Sequence, residues 1–130
     1  MKILFLAVPL LLSACVGTPV RDSVADLLVG REVIYDIAPD LPPENADRQT
    51  WAADGTTIYN AGPGMFGGPT KGRWFVENGM YCAYFGTQMP KDRDCWWVST
   101  SDNGARIRFK KAGIELIDFG PREYNGTFVK

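Results

Sequence analysis

The sequence predicts an all-β domain: a small antiparallel meander of about eight short strands closed as a barrel or a sandwich, with one short N-terminal helix and one disulfide. Asx-Gly pairs occur four times, and such pairs suit the tight turns between antiparallel strands. Aromatic residues reach 12% and glycine numbers 14 of 130 residues, which is typical of strands and turns. No segment after Gly30 repeats apolar residues at helical spacing, so a parallel βαβ architecture is not expected.

A short helix is predicted before Gly30, which suits the C-terminal cap. Thr18-Pro19 is typical of an N-cap followed by proline at the first helical position. The apolar face of this helix would comprise Val20, Val24, Leu27 and Leu28. The first strand is predicted over Glu32–Ile37, and a Pro-rich acidic loop follows over residues 38–48.

Each Asx-Gly pair predicts a two-residue type I′ turn, which needs positive φ at both positions. The turn at Asn78-Gly79 would place Trp74 opposite Ala83. The turn at Asn103-Gly104 would place Val98 opposite Phe109. Two further turns are predicted at Asp54-Gly55 and Asn125-Gly126.

The N-terminus has the pattern of an export signal. After Lys2, the apolar run Ile3–Leu12 is too short to span a bilayer as a helix, and it ends in Leu12-Ser13-Ala14-Cys15. This ending resembles the lipobox of bacterial lipoproteins. The resemblance implies cleavage before Cys15 and a diacylglyceryl group on its sulfur.

By the same resemblance, residues 1–14 are a signal peptide and residues 15–21 a lipidated tether. A chain of 130 residues cannot fill a second core, so residues 22–130 are predicted to form a single β domain. In enterobacterial lipoproteins, Asp after the lipidated cysteine retains the protein in the inner membrane. Val16 occupies that position here. The resemblance therefore favours a lipid anchor in the outer membrane, on its periplasmic face.

The chain has three cysteines. If Cys15 carries lipid, Cys82 and Cys95 remain as one pair in an oxidising compartment, where a disulfide is expected. A disulfide directly across a hairpin would place Tyr81 opposite Trp96.

The predicted registers sort the strand residues onto two faces. The apolar face, predicted to be the core, comprises Trp74, Val76, Tyr81, Ala83, Phe85, Trp96, Val98, Thr100, Ile107 and Phe109. The opposite face includes the aromatic and basic residues Arg73, Phe75, Tyr84, Trp97, Arg106, Arg108 and Lys110. Aromatic rings beside Arg and Lys are typical of sites for an anionic or flat partner. This second face, the Trp97 face, is the predicted binding surface for a protein or cell-envelope partner. Alternatively, the basic stems merely cover half-exposed rings on an ordinary sheet.

Charge and composition exclude several function classes. The formal net charge of −1 offers little neutralisation of phosphates, so nucleic-acid binding is not expected. The chain has no His, which removes the commonest general base and metal ligand. No catalytic residue, metal site or cofactor is predicted.

Motifs in the middle of the chain resemble a family of small exported bacterial β proteins, mostly of unknown function. The shared motifs are a G-x-W strand, Gly72-Arg73-Trp74, a Tyr-Cys strand, Tyr81-Cys82, and the later Cys95-Trp96-Trp97. The resemblance covers roughly residues 30 to 110. It implies a small antiparallel barrel without an assigned activity.

The stretch Ser99–Ile107 resembles the lipoprotein inhibitors of c-type lysozyme, which are also lipid-anchored barrels with one disulfide. Their signature is Ser-Gly-Ala-Arg/Lys-Tyr, whose Ser and basic residue enter the lysozyme active site. Gly104-Ala105-Arg106 matches it, so the resemblance assigns these roles to Ser101 and Arg106. Two residues interrupt the signature and Ile107 replaces its Tyr. The stretch is equally explained as a hairpin turn.

These observations predict a lipid-anchored, periplasm-facing lipoprotein that is not an enzyme and that binds a partner or supports the envelope. Inhibition of a lysozyme-type cell-wall hydrolase is the alternative.

The anchor can be tested directly. Cys15→Ser removes the only sulfur that the lipobox pattern could lipidate, so the variant should leave the membrane fraction or accumulate unprocessed. Cell fractionation and the intact mass of the purified protein measure this. A wild-type protein without an acyl mass on Cys15 would contradict the lipoprotein prediction.

Overall fold

The computed structural model describes residues 23–36, 42–63, 68–113 and 122–130. They form a closed barrel of eight antiparallel strands in sequence order, in which β8 pairs with β1. The helix and strands are α1 (Ser23–Leu28), β1 (Glu32–Tyr35), β2 (Arg48–Trp51), β3 (Thr56–Ala61), β4 (Gly68–Glu77), β5 (Met80–Phe85), β6 (Asp94–Ser101), β7 (Arg106–Lys111) and β8 (Glu123–Phe128). The all-β prediction is confirmed, and of the two closures the structure has the barrel.

Several predictions fall on residues outside this description. These are the signal peptide, Cys15 and the tether, the N-terminal cap of the helix with Val20, and the end of the first strand at Ile37. Among the described residues, no helix has the length and apolar character needed to cross a membrane.

Two of the four predicted turns join strands in the predicted register. Asn78 and Gly79 have φ of 51° and 76°, as a type I′ turn requires, and Trp74 lies opposite Ala83. At the β6–β7 connection Val98 lies opposite Phe109 as predicted. Positive φ extends there over three residues, because the connection between Ser101 and Arg106 is longer than a two-residue turn.

The Asp54-Gly55 pair lies in the β2–β3 hairpin, but the two-residue turn was a wrong prediction. Trp51 pairs with Thr57, which leaves a wider loop. Gly55 has a φ of 87°, whereas Asp54 has no positive φ. The Asp54 carboxylate instead accepts a hydrogen bond of 2.8 Å from the Thr56 amide.

The predicted turn at Asn125-Gly126 is also wrong, because both residues lie inside β8. Gly126 lies opposite Tyr35 of β1. A Cβ atom there would lie 2.5 Å from Val33 Cγ1 and 2.8 Å from the Ile34 carbonyl oxygen. This glycine permits close approach of the two strands that close the barrel.

The predicted disulfide is confirmed. Cys82 and Cys95 are bonded and lie directly opposite each other on β5 and β6. Their side chains lie on the outside of the barrel, yet Cys82 is 0% exposed. The Glu77 carboxylate lies 3.9 Å from the Cys82 sulfur and pairs with Arg93 at 2.8 Å, so this ion pair covers the bond.

The predicted core face points into the barrel. Its buried members are Trp74, Tyr81, Ala83, Ile107 and Phe109, and Val76, Phe85, Trp96 and Val98 pack against them. Thr100, near the end of β6, is exposed instead. At the end where β1 begins, Val24 and Leu28 of α1 complete the core. We call this the helix end, and the other the open end.

Two adjacent tryptophans test the assignment of faces. Trp96 stacks on Tyr81 with ring centroids 5.4 Å apart, whereas Trp97 is 52% exposed. Trp96→Ala should lower the free energy of unfolding by about 3 kcal/mol or more, because it empties a packed site. Trp97→Ala should lower it by less than about 1 kcal/mol. Urea unfolding with the disulfide intact measures both, and a larger loss for Trp97→Ala would show that the faces are reversed.

Candidate functional site

The predicted site residues lie on the outside of β4 to β7, spread over four neighbouring strands. Arg73 lies opposite Tyr84. Arg73 on β4 and Arg106 on β7 are separated by two strands. The Arg73 guanidinium donates to the Asp54 carbonyl oxygen at 3.1 Å, so it lies against the β2–β3 hairpin.

The three aromatic rings of the Trp97 face surround the disulfide. Phe75 lies opposite Cys82, and Tyr84 lies two residues beyond that cysteine on β5. Trp97 lies two residues beyond Cys95 on β6 and opposite Lys110. The structure therefore brings Phe75, Tyr84 and Trp97 to the same side of the barrel.

The remaining candidates, Ser101, Arg106 and Arg108, lie on the neighbouring strands β6 and β7. Ser101 lies opposite Arg106, and both line a surface depression with Arg108. Arg106 forms an ion pair with Asp36, and Arg108 lies 3.5 Å from Glu123. Because carboxylates already face both arginines, this group offers less positive potential to an anion than the sequence suggests.

The barrel interior holds a pocket that the sequence did not predict as a site. It has a volume of about 80 Å³. Its lining consists of Tyr35, Gln49, Tyr59, Tyr81, Phe85, Trp96, Phe109 and Tyr124. The predicted core face already included four of these residues, Tyr81, Phe85, Trp96 and Phe109. The other four could have been found only by extending the inward alternation to β1, β2, β3 and β8.

The strand directions place the pocket towards the open end. Along β3, Tyr59 lies nearer this end than Thr57, and along β5, Phe85 lies nearer it than Tyr81. The rings of Tyr59 and Phe85 are only half-buried, whereas Thr57 and Tyr81 are buried. Tyr59 and Phe85 therefore form part of the mouth, and Thr57 and Tyr81 lie deeper.

Aromatic rings surround the pocket. Around the mouth, Tyr59 lies between Phe85 and Tyr35, with ring centroids 6.4 and 5.9 Å away, and Tyr35 lies 5.9 Å from Tyr124. The ring centroid of Phe109 lies 6.1 Å from that of Tyr35. Such contacts add to the stability of the interior and hold the rings in place.

Gln49 forms the polar floor. It is 4% exposed, and its side-chain carbonyl accepts a hydrogen bond of 2.6 Å from the Tyr35 hydroxyl. Its amide nitrogen donates to Thr57 Oγ1 and to the Tyr81 hydroxyl, both at 2.9 Å. A buried amide is costly unless its hydrogen bonds are made, so this network fixes one orientation of Gln49.

The tyrosine hydroxyls are held neutral. Burial raises the pKa of Tyr35 well above its ordinary value and that of Tyr81 to about 12. Burial and the hydrogen bond to Asp47 raise the pKa of Tyr59. Among the described residues that line the pocket, none carries a charge at neutral pH. The Trp96 indole N–H is buried with no acceptor among the described residues.

A carboxylate lies beside the mouth. Asp47, just before β2, accepts hydrogen bonds from the Tyr59 hydroxyl and from the Gly62 amide. It also lies close enough to Tyr35 to raise the pKa of that hydroxyl. The mouth is therefore negatively polarised.

One group of potential metal ligands occurs elsewhere in the described chain, formed by Glu77, Cys82 and Cys95. Because the two sulfurs are bonded to each other, neither is available as a thiolate ligand. Comparison with known protein families, curated proteins and solved structures finds no match to the chain.

The raised tyrosine pKa values predict alkaline sensitivity. In the unfolded chain the Tyr81 hydroxyl ionises near pH 10. In the folded protein its raised pKa keeps it protonated to about pH 12. This tyrosine therefore contributes stability below pH 10 that is lost as the pH rises from 10 to 12. In Tyr81→Phe, the free energy of unfolding should fall less steeply over that range. Urea unfolding at a series of alkaline pH values measures the slope, and an unchanged slope would contradict the burial of this hydroxyl.

Proposed function

We propose that the protein is a lipid-anchored, non-catalytic binding protein of the cell envelope. It holds a small molecule, or one end of a larger one, in the pocket at the open end of its barrel. The observation that carries this proposal is the pocket itself: aromatic walls around a hydrogen-bonded amide floor. Eight-stranded barrels either fill their interior with side chains or hold one small ligand.

The pocket is organised before any ligand arrives. The hydrogen bonds of Gln49 join β1, β2, β3 and β5 across the interior. Fixed side chains lose little conformational entropy on binding, which favours affinity. Purely structural packing would be served more simply by aliphatic side chains, which carry no polar atoms that must be satisfied.

The chemistry of the lining supports binding without turnover. The neutral tyrosine hydroxyls donate and accept hydrogen bonds, but at neutral pH their raised pKa values keep them from acting as bases. Apolar ring surface and oriented amide and hydroxyl groups are typical of ligand sites.

The anchor and the pocket lie towards opposite ends of the molecule in this proposal. Cys15 precedes the first residue of α1, Ser23, by eight residues. That tether spans at most about 28 Å. Because α1 packs at the helix end, an anchor at Cys15 would attach the protein through that end, and the proposal has the open end accessible from the periplasm.

A second candidate function is inhibition of a lysozyme-type hydrolase. It is favoured by Ser101 and Arg106, which lie opposite each other beside one depression. The ion pair of Arg106 with Asp36 would have to open for that role. An assay of c-type lysozyme with wild-type protein and Arg106→Ala tests it, and inhibition lost in the variant would favour this function over pocket binding.

The pocket proposal is tested on the detergent-solubilised lipoprotein by ligand-observed NMR with phenol, tert-butanol and choline. At least one probe should contact the protein and be recovered unchanged. Phe85→Trp, which adds bulk at the mouth, should abolish that contact. The matched control Phe75→Trp, on the outside of β4, should leave it intact. No contact by any probe, or equal contact in both variants, would overturn the proposal.

A further inference from the structure

We infer that the pocket binds a methylated ammonium group, the cationic group shared by choline and by lipids with a choline headgroup. The inference rests on the proposed function and names its ligand class. Three features of the structure carry it: rings on several sides, a negative mouth, and a small volume.

The rings provide the first argument. A cation is attracted to the face of an aromatic ring, and aromatic cages are a recurring means of holding quaternary ammonium groups. Rings from β1, β3, β5, β6, β7 and β8 surround this pocket. A methylated ammonium group is roughly spherical and apolar on its surface, so it can contact rings on all sides at once.

The charges provide the second argument. Asp47 lies beside Tyr59 at the mouth and supplies negative potential. No Lys or Arg is among the described residues that line the pocket. Lys111 lies opposite Trp96 at the same end, but its ammonium lies 3.4 Å from the Asp94 carboxylate. An anionic ligand would lose its hydration here without gaining a cationic partner. A cation would gain attraction to the aromatic rings and to the Asp47 carboxylate.

The volume provides the third argument. Sites for drug-sized ligands measure about 300 Å³ or more, and this pocket measures about 80 Å³. It therefore takes a single compact group.

The test compares choline with 3,3-dimethylbutan-1-ol, the neutral molecule of the same shape. Titrations of the solubilised lipoprotein in a maltoside detergent are followed by tryptophan fluorescence, because Trp96 lines the pocket, and by calorimetry. Choline should bind at least tenfold more tightly than the alcohol. Asp47→Asn should weaken binding of choline and leave binding of the alcohol unchanged.

Ring removal supplies a second readout. Phe85→Leu should weaken choline binding at least tenfold, and the matched control Phe75→Leu should leave it within twofold. If Phe85→Leu does not fold, the comparison of choline with the alcohol on the wild-type protein still decides the question. Equal loss in both variants would overturn the inference.

A further titration identifies the source of the group. Monomeric dihexanoylphosphatidylcholine binding more tightly than choline would indicate a lipid headgroup, and the reverse a free cation. Binding of the alcohol as tight as that of choline would overturn the inference but leave the proposed pocket function intact. If no probe contacts the protein in the NMR experiment, the proposed function itself is wrong.

Discussion

Closure of the barrel between β1 and β8 is the constraint on which the rest of the structure depends. A single sheet of eight strands buries its apolar face by closing on itself, and closure also removes exposed strand edges. The closing contact depends on Gly126, since any side chain there would meet Val33 and the backbone of Ile34. Once closed, the barrel fixes which residues share its interior and how much space remains among them.

That space is used differently at the two ends. At the helix end, α1 adds Val24 and Leu28 to a core of large apolar side chains. At the open end, the interior contains rings and the Gln49 amide. A buried amide stabilises the fold only while all its partners are present, so the same hydrogen bonds that shape the pocket also join its walls. Stability and the shape of the pocket therefore depend on the same residues in this half of the barrel.

Much of the fold could be predicted because turns and strand alternation are determined by residues that are close together in the sequence. Turn residues at Asn78-Gly79 set the register of the neighbouring strands, and alternation then separated core from outer face. Gly126 was misassigned because a glycine needed for close approach looks, in sequence, like a glycine needed for a turn.

The pocket was missed for a different reason. Gln49 and Tyr81 are 32 residues apart, and Tyr35 meets Tyr124 only after the barrel has closed. Alternation along a strand can place a residue inside the barrel, but it does not show which inward residues become neighbours once the barrel closes. The outer candidates were chosen by residue type, and their pairing with carboxylates, as between Arg108 and Glu123, depends likewise on contacts between strands.

The covering of the disulfide by Glu77 and Arg93 gives thiol–disulfide exchange a preferred direction. An incoming thiolate must reach a sulfur, and Cys82 presents none of its surface to solvent. Attack is therefore confined to Cys95, which would release Cys82 as a buried thiolate beside the Glu77 carboxylate. Burial and like charge both raise the energy of that leaving group, and a poor leaving group slows exchange. Thiol–disulfide oxidoreductases would thus act on this protein before it folds and exchange only slowly with the finished barrel.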